Sequence, residues 1–229
     1  MAYSLDEIRE IMNSYANENH ISFFKKISKE AENVQGIKVP DIKRIAKLIL
    51  KQDSIYFINK YKIITHEDLF LLGQVIAGLK IPLNEKINYI KEYVVKIYDW
   101  SSCDIFVSAL KFQEQKLPII YDFIIEYKDS KNEYEVRFML VMLLTFFIND
   151  KYLNNITSIL NSTPFTYYYT QMAAAWLIST MYVKYKDYTI EFLKNNKLDD
   201  FTHNKACQKI RESTKVKKEE KEYIKTLKR

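Results

Sequence analysis

A helical pattern that returns about every 34 residues limits this chain to a small group of folds. Four blocks show it most clearly, and they run from Tyr98 to Phe112, Asn132 to Phe147, Thr166 to Met181 and Asp200 to Ser213. Each block repeats apolar residues three and four positions apart, as one face of a helix requires. A unit of this length cannot bury its apolar face alone, so successive units stack on one another. The period therefore predicts an all-α, HEAT-like or ARM-like solenoid built from helix pairs.

The composition argues against several other fold classes. The chain has only three glycines and four prolines among its 229 residues. β-Sandwiches and nucleotide-binding α/β folds need more glycine than this for their turns. No segment alternates apolar and polar residues for long, so no strand is predicted. No uncharged stretch approaches the run of about 20 residues that a membrane span requires.

Residues that bind metals or form disulfides are few and scattered. The two cysteines, Cys103 and Cys207, occupy apolar helical positions without a partner at a disulfide or metal-ligand spacing. They are expected to be buried, reduced thiols. The chain has only three histidines, and they lie far apart in the sequence. Neither a metal nor another cofactor is therefore expected. The N-terminal segment begins a polar helix rather than a secretion signal, and a cytoplasmic protein is predicted.

Capping residues place the helix boundaries. Ser4 and Glu7 have the spacing of a capping box for a helix over 4–15. Gly36 ends an irregular stretch, and Pro40 lies in the first turn of the next helix. The residues predicted to point inward from that helix are Ile42, Ile45, Ala46, Leu48 and Ile49. Further helices are predicted at 20–29, 53–61, 66–79, 83–97, 116–127, 151–161, 186–196 and 217–228. Every connection is short, so a single domain over all 229 residues is predicted.

The net charge of +6 is concentrated in two segments. Residues 25–51 hold eight Lys and Arg against three Asp and Glu, and residues 200–229 hold ten against five. Two basic segments on either side of a neutral middle would suit a polyanion such as DNA. Lysine-rich helices that only face solvent are the alternative, and charge alone does not choose between the two.

Alignment of the four blocks brings unusual side chains to related positions on their helices. With Arg137 taken as zero and about 100° per residue, Trp100 points near 60°, Asp104 near 100° and Trp176 near 140°. The only two tryptophans of the chain, a carboxylate and a guanidinium therefore share roughly one side of the predicted stack. This gathering predicts a functional site.

Two interpretations of these residues stay open from spacing alone. An acid among apolar neighbours needs a partner, and a structural ion pair between Asp104 and Arg137 would supply one. The other interpretation is chemical, because a carboxylate beside two indole faces suits a cation. Hydrolysis of an N-glycosidic bond passes through an oxocarbenium-like sugar, and an N-alkylated purine leaves from a positively charged base. Arg137 would then hold a phosphate.

Five motifs, in order and at their spacing, carry a resemblance to a known family. They are GIKVPDIKRIAK (Gly36–Lys47), WSSCD (Trp100–Asp104), YEVRFMLVM (Tyr134–Met142), YTQMAAAWLIS (Tyr169–Ser179) and NKACQKIRES (Asn204–Ser213). With them the chain resembles, over nearly its whole length, the AlkD-like family of HEAT-like-repeat DNA alkylation repair proteins.

The resemblance implies a right-handed, C-shaped α-α superhelix whose concave, positive face grips duplex DNA. Glycosylase members of that family excise cationic N3- and N7-alkylpurines without a metal or cofactor. By position, Asp104 resembles the catalytic carboxylate, and Trp100 and Trp176 resemble the aromatic residues that flank the deoxyribose of the lesion. Arg137 resembles the arginine that contacts the DNA backbone beside it.

The chain departs from the family pattern on either side of Trp100. Active members typically have an aromatic residue just before this position and an acid just after it, where this chain has Asp99 and Ser101. Ser101, Ser102 and His203 form no recognisable nucleophile arrangement in the sequence. The region before Trp100 is also several residues shorter than in the family.

Basic side chains near both ends are the remaining candidates for DNA binding. Those of the N-terminal segment are Lys38, Lys43, Arg44 and Lys47, and those of the C-terminal segment are Lys205, Lys209 and Arg211. A solvated face explains the C-terminal group equally well. The hypothesis is a monomeric DNA repair protein that binds alkylated or distorted duplex DNA, with 3-methyladenine or 7-methylguanine glycosylase activity as the implied reaction. A non-catalytic protein that recognises distorted or branched DNA, and a protein-binding helical scaffold, are the alternatives.

Overall fold

The computed structural model describes residues 3–28 and 31–229 of the protein. Within those ranges the chain forms fourteen α-helices and one short 3-10 helix at Glu114–Lys116, and it contains no strand. The prediction of an all-α fold is confirmed. No helix of the described residues is long and apolar enough to cross a bilayer.

The first of two compact units covers residues 1–113. Its helices are α1 (Leu5–Ser14), α2 (Glu18–Ile27), α3 (Val39–Ile49), α4 (Ser54–Lys60), α5 (His66–Gly78), α6 (Leu83–Val94) and α7 (Trp100–Ala109). Both α3 and α7 pack against α5, which α4 and α6 also contact, while α1 packs against α3. As a result, α5 is buried from its first residue to Ala77.

The second unit covers residues 114–229 and repeats this arrangement. Its helices are α8 (Leu117–Ile125), α9 (Glu133–Phe146), α10 (Leu153–Ser162), α11 (Tyr168–Lys184), α12 (Lys186–Asn195), α13 (Asp200–Glu212) and α14 (Lys218–Thr226). Both α9 and α13 pack against α11, with α8 on α9, α12 on α11 and α14 on α13. Ala173, Ala174 and Ala175 of α11 are buried, and such small side chains let neighbouring helices approach closely.

The sequence period appears in the helix starts. The helices α5, α7, α9, α11 and α13, called the repeat helices below, begin at His66, Trp100, Glu133, Tyr168 and Asp200. Consecutive starts are 32 to 35 residues apart. The period thus extends one helix further toward the N-terminus than the four sequence blocks indicated.

Side chains cap four of the five repeat helices. Thr65, Asp99, Asn132 and Asp199 each accept a hydrogen bond from a backbone N–H of the first turn. Capping of this kind satisfies N–H groups that have no partner within the helix. The exception is α11, because Tyr167 stands at its cap position and accepts no such bond with its side chain.

The predicted signals at the N-terminal end are confirmed. Ser4 and Glu7 form both hydrogen bonds of the capping box, at 3.1 and 2.6 Å. Gly36 has a φ of +74°, and a Cβ there would lie 2.2 Å from the carbonyl oxygen of Asn17. The chain therefore needs glycine where it turns toward α3. Pro40 lies in the first turn of that helix, as predicted.

Some details differ from the predictions. Leu48 is half-buried rather than buried, because it lies at the border of the inward face of α3, while the other four residues predicted to point inward are buried. The helix predicted at 20–29 is observed as α2, which ends at Ile27, and Lys29 lies outside the described residues. Cys103 and Cys207 are buried thiols, as predicted. A single domain stays a prediction.

Candidate functional site

Trp100 and Asp104 lie one turn apart on α7, in the first unit. A separation of four residues places two side chains on the same face of a helix. Both residues are half-buried, so the Asp104 carboxylate is neither sealed in the core nor fully in water. The first unit thus presents one indole and one acid side by side at its surface.

The indole of Trp100 is held in place by α2. Its Nε1–H donates a hydrogen bond of 3.1 Å to the carbonyl oxygen of Ile27, the last residue of that helix. Carbonyl groups at the end of a helix have no partner within it, so this bond satisfies both groups. The orientation of the Trp100 ring is therefore set by the protein before any ligand binds.

A buried polar network supports the start of α7. The Asp99 carboxylate, at 0% exposure, accepts hydrogen bonds from the backbone N–H groups of Ser101 at 3.3 Å and Ser102 at 2.9 Å. Its Oδ2 also accepts from Ser28 Oγ at 2.6 Å and from Ser101 Oγ at 2.5 Å. Buried beside them, His66 has its Nε2 3.2 Å from Ser101 Oγ and 3.6 Å from Asp99 Oδ2.

Protonation states follow from these contacts. Burial opposes the charge of Asp99, but the neighbouring His66 and the serine donors outweigh it and bring the pKa of Asp99 below its usual value. Burial lowers the pKa of His66, although Asp99 and Glu67 pull in the other direction. Burial also raises the pKa of Tyr98, whose hydroxyl bonds to His66 Nδ1, to about 12.

With these protonation states, the hydrogen bonds of the network all run in one direction, from Tyr98 to Asp99. The Tyr98 hydroxyl donates to His66 Nδ1, the Nε2–H of His66 donates to Ser101 Oγ, and the Ser101 hydroxyl donates to Asp99. Ser101 is buried and its proton is directed to Asp99, so it is not placed to act as a nucleophile. Asp99 and Ser101, the two departures around Trp100, thus both serve to hold the start of α7.

Sequence reasoning missed two members of this network. His66 is the first residue of α5, and Trp100 is the first residue of α7. Their equivalent positions in the repeat could have identified His66 from the sequence. Ser28 offered no such signal, because it lies 71 residues before its partner Asp99.

Arg137, on α9 in the second unit, is buried with an exposure of 5%. Its NH1 group donates a hydrogen bond of 2.9 Å to the carbonyl oxygen of Tyr169, and its guanidinium carbon lies 6.0 Å from the centre of that tyrosine ring. Glu133 of the same helix accepts a bond of 2.6 Å from the Tyr169 backbone N–H. These contacts fasten the start of α11 to α9. Contact between Arg137 and a DNA backbone stays a prediction.

Trp176 of α11 has an exposure of 39%, although it stands between the buried residues Ala175 and Leu177. Exposed aromatic side chains continue at the start of the same helix with Tyr167 and Tyr168. All three aromatic rings are therefore accessible to a ligand. The second unit thus carries its aromatic candidate in an accessible position.

The basic residues predicted near the N-terminal end all reach solvent. Lys38, Lys43, Arg44 and Lys47 are exposed in the first unit. Arg44 forms an ion pair of 2.6 Å with Asp41, an exposed contact that contributes little to stability. These side chains are free to move toward an anionic ligand.

The basic residues predicted near the C-terminal end are half-buried and already in contact with neighbours. Lys205 donates to Gln208 at 3.0 Å, and Lys209 lies 3.5 Å from Glu212. Within the described residues, the buried Nε of Arg211 has no hydrogen-bond partner. Their role in DNA binding stays a prediction.

The described residues contain no group of three or more His, Cys, Asp or Glu side chains that could hold a metal ion. Burial raises the pKa of Cys207 to about 11, so this thiol stays protonated at neutral pH.

Comparisons with known proteins agree on one family. A family model described as DNA alkylation repair enzyme matches residues 8–210. A solved structure described as a predicted DNA alkylation repair enzyme from Enterococcus faecalis is similar to this chain, with a TM-score of 0.68. The two are 17% identical, and the match covers 86% of this chain and 98% of the other. At this identity the likeness demonstrates a shared fold. No curated protein matches the chain.

Proposed function

The chain belongs to the DNA alkylation repair enzyme family, and on that premise we propose that it binds duplex DNA and hydrolyses the N-glycosidic bond of cationic N3- and N7-alkylated purines. Membership of this family assigns the protein to DNA repair. The observation that carries the finer proposal is the pair on α7, where Asp104 lies half-buried one turn from a Trp100 ring that the protein holds in place.

The reaction needs a negative charge close to the sugar. As the bond between C1′ and the alkylated base nitrogen breaks, its electron pair goes to the base, which leaves neutral, and positive charge develops on the deoxyribose. Asp104 stabilises that charge and orients a water molecule, whose oxygen bonds to C1′ and whose proton is released. The products are a free alkylpurine and an abasic site. Positive charge is already present on the substrate, so the base needs no protonation before it leaves.

Aromatic rings help to stabilise the positive charge that develops on the deoxyribose. We assign Trp100 and Trp176 to contacts with the DNA, where an aromatic ring beside the developing charge contributes cation–π attraction of about 0.5–2 kcal/mol. The hydrogen bond from Trp100 to Ile27 keeps one ring from turning away. The exposure of Trp176 leaves the second ring accessible to DNA.

Basic side chains bind the phosphates in this proposal. The exposed group on α3 and the group on α13 each neutralise phosphates of the DNA backbone. Arg137 is assigned to a phosphate of the same DNA, as the resemblance implies.

One observation favours the alternative of DNA binding without catalysis. Asp99 and Ser101 are buried in the network below α7, so neither reaches a ligand. The acid and the aromatic residue that active relatives typically place beside the tryptophan therefore have no substitute at these two positions. In that case the same surfaces recognise distorted or branched DNA by shape and charge.

An assay of base release distinguishes glycosylase activity from DNA binding without catalysis. Duplex DNA containing N7-methylguanine or N3-methyladenine is incubated with the protein, and the free base is measured by chromatography. Asp104→Asn removes the charge but keeps the shape, and we expect the rate to fall about 100-fold. Asp122→Asn, an exposed acid on α8, is the matched control and should behave like the wild type. Absence of release by the wild type leaves only DNA binding, and release undiminished in Asp104→Asn rules out the mechanism.

Salt dependence tests the binding itself. If phosphates are neutralised, the affinity for undamaged duplex falls steeply as the salt concentration rises. Affinity that does not respond to salt would favour a protein-binding scaffold. Arg137→Ala should weaken DNA binding and also lower stability by about 1–2 kcal/mol, because the Tyr169 carbonyl loses a partner. Unchanged DNA binding with this stability loss would make Arg137 a structural residue only.

A further inference from the structure

The start of α11 is unlike the starts of the other repeat helices. Its regular hydrogen bonds begin with the N–H of Gln171, which donates to the carbonyl oxygen of Tyr167. Of the three N–H groups before it, Tyr169 donates to Glu133. Within the described part of the chain, the N–H groups of Tyr168 and Thr170 have no acceptor, since Tyr167 supplies no cap. A helix of 17 residues therefore presents an unsatisfied, partly positive end.

A cavity of about 290 Å³ lies at this end, wholly within the second unit. It lies between the segment that follows α8 and the segment that joins α10 to α11. The side chains that matter for its chemistry are Lys128, Asp129, Lys131, Thr163, Thr166 and Thr170.

The cavity is lined in part by Thr163, whose hydroxyl is buried. Thr163 has an exposure of 7%, and its Oγ1 is a buried polar atom with no hydrogen-bond partner among the described residues. A buried hydroxyl without a partner is unfavourable, and native structures retain few of them. This hydroxyl is independent of the open helix end, and rotation about χ1 would turn it from its buried position toward a ligand in the cavity.

The charges around the cavity favour an anion. Lys128 and Lys131 line it with a single acid, Asp129. Two further carboxylates lie in the first turn of α9 but are engaged elsewhere, since Glu133 accepts from the Tyr169 backbone and Glu135 accepts from Ser130. Two ammonium groups, the Thr163 hydroxyl and the N–H groups at the start of α11 are donors, and they outnumber the single carboxylate of Asp129. A ligand that matches it must offer several acceptor oxygens and negative charge.

We propose that this cavity is a phosphate-binding site that takes a backbone phosphate of duplex DNA. The proposal rests on duplex binding as the proposed function, and adds a contact formed by residues outside the two basic segments. Helix N-termini bind phosphate through their N–H groups and their dipole. Lys131, which is exposed, reaches the phosphate from solvent. The Thr163 hydroxyl donates to the phosphate after rotation about χ1.

The test compares duplex affinity at several salt concentrations for three variants. Lys131→Gln should reduce the slope of log affinity against log salt by about 0.9, the value for one phosphate. Lys184→Gln, an exposed lysine at the opposite end of α11, should leave the slope unchanged. Thr163→Val keeps the volume but removes the hydroxyl, and should weaken binding about tenfold, because a hydrogen bond to a charged group is lost. Its melting temperature should equal or exceed that of the wild type, since the hydroxyl has no partner in the free protein.

A second measurement separates this site from the proposed function. Inorganic phosphate is titrated into the 15N-labelled protein, and the Tyr168 and Thr170 amide signals are followed. If the wild type binds duplex while Lys131→Gln and Thr163→Val match it in slope and affinity, the site is wrong and the proposed function stands.

If the wild type does not bind duplex, the proposed function fails and the titration decides the site. Amide shifts in the wild type that are lost in both variants would retain it as a site for free phosphate. The absence of such shifts would overturn it.

Discussion

The starts of α7 and α11 occupy the same position in the repeat but are built in opposite ways. At α7, Asp99 caps the helix and its carboxylate is satisfied by serine donors, with His66 packed beside them. At α11, the cap position holds an exposed tyrosine, and a nearby hydroxyl has no partner among the described residues. One start is closed and holds Trp100 in place, whereas the other leaves donors for a ligand. A repeat protein can thus use one structural position for support in one copy and for binding in another.

Removal of the Asp99 side chain should produce the largest effect. Asp99→Ala deletes the cap and leaves buried serine and amide donors without an acceptor, so we expect a loss of about 3 kcal/mol in the free energy of unfolding. Denaturant unfolding measures it, with Asp99→Asn as the milder variant if the first does not fold. The control is Asn132→Ala, an exposed cap of α9, which should cost about 1 kcal/mol. Equal losses for the two caps would mean that the buried network adds nothing.

Acid should weaken the closed start in two steps. The folded pKa of His66 lies below its usual 6.5, so the unfolded chain takes up the proton first and stability falls as the pH drops below about 6.5. Asp99 has a folded pKa below its usual 3.8, so its contribution is present above that value and is lost as the pH falls further. Melting temperatures between pH 7.5 and 3 should reveal both steps.

The variant His66→Gln isolates the upper step. His203 is also buried with a lowered pKa and contributes with the same sign, so the variant should reduce the loss below pH 6.5 without abolishing it. A profile for His66→Gln identical to that of the wild type would contradict the role given to this imidazole.

A side chain that caps the start of α11 should raise the stability of the protein and weaken its binding to duplex DNA. Tyr167 already has the extended backbone of a cap residue, so Tyr167→Asp should stabilise the protein by about 1 kcal/mol. The added carboxylate would occupy the donors and repel phosphate, and duplex affinity should fall. Tyr167→Ser is the matched variant, because it caps without a charge and should weaken binding less. Higher stability with unchanged affinity in Tyr167→Asp would show that the open end does not bind DNA.

The two tryptophans should differ in their structural contribution. Trp100→Phe loses the hydrogen bond to Ile27 and should cost about 1 kcal/mol. Trp176→Phe removes no such bond from an exposed position and should change stability by no more than about 0.5 kcal/mol. Thermal unfolding of the two variants side by side measures the difference. A larger loss for Trp176 would mean that its ring is part of the core.

The site was predictable to the extent that it depends on a single helix. Trp100 and Asp104 are four residues apart, so their common face follows from helix geometry alone. The burial of Asp99 was not predictable, because an acid before a tryptophan is equally consistent with an exposed cap. Its partners are Ser28, which follows the end of α2, and His66 of α5, 71 and 33 residues away in sequence.

Helix starts, their caps and the 34-residue period can be deduced from the chain itself, since a helix forms through contacts between residues at most four positions apart. Which cap becomes buried, which tryptophan is held in place and which hydroxyl is left without a partner arise only when distant helices pack. Desolvation depends on everything that surrounds a group, and most of those neighbours lie in other repeats. The closed start of α7 and the open start of α11 are therefore properties of the tertiary structure.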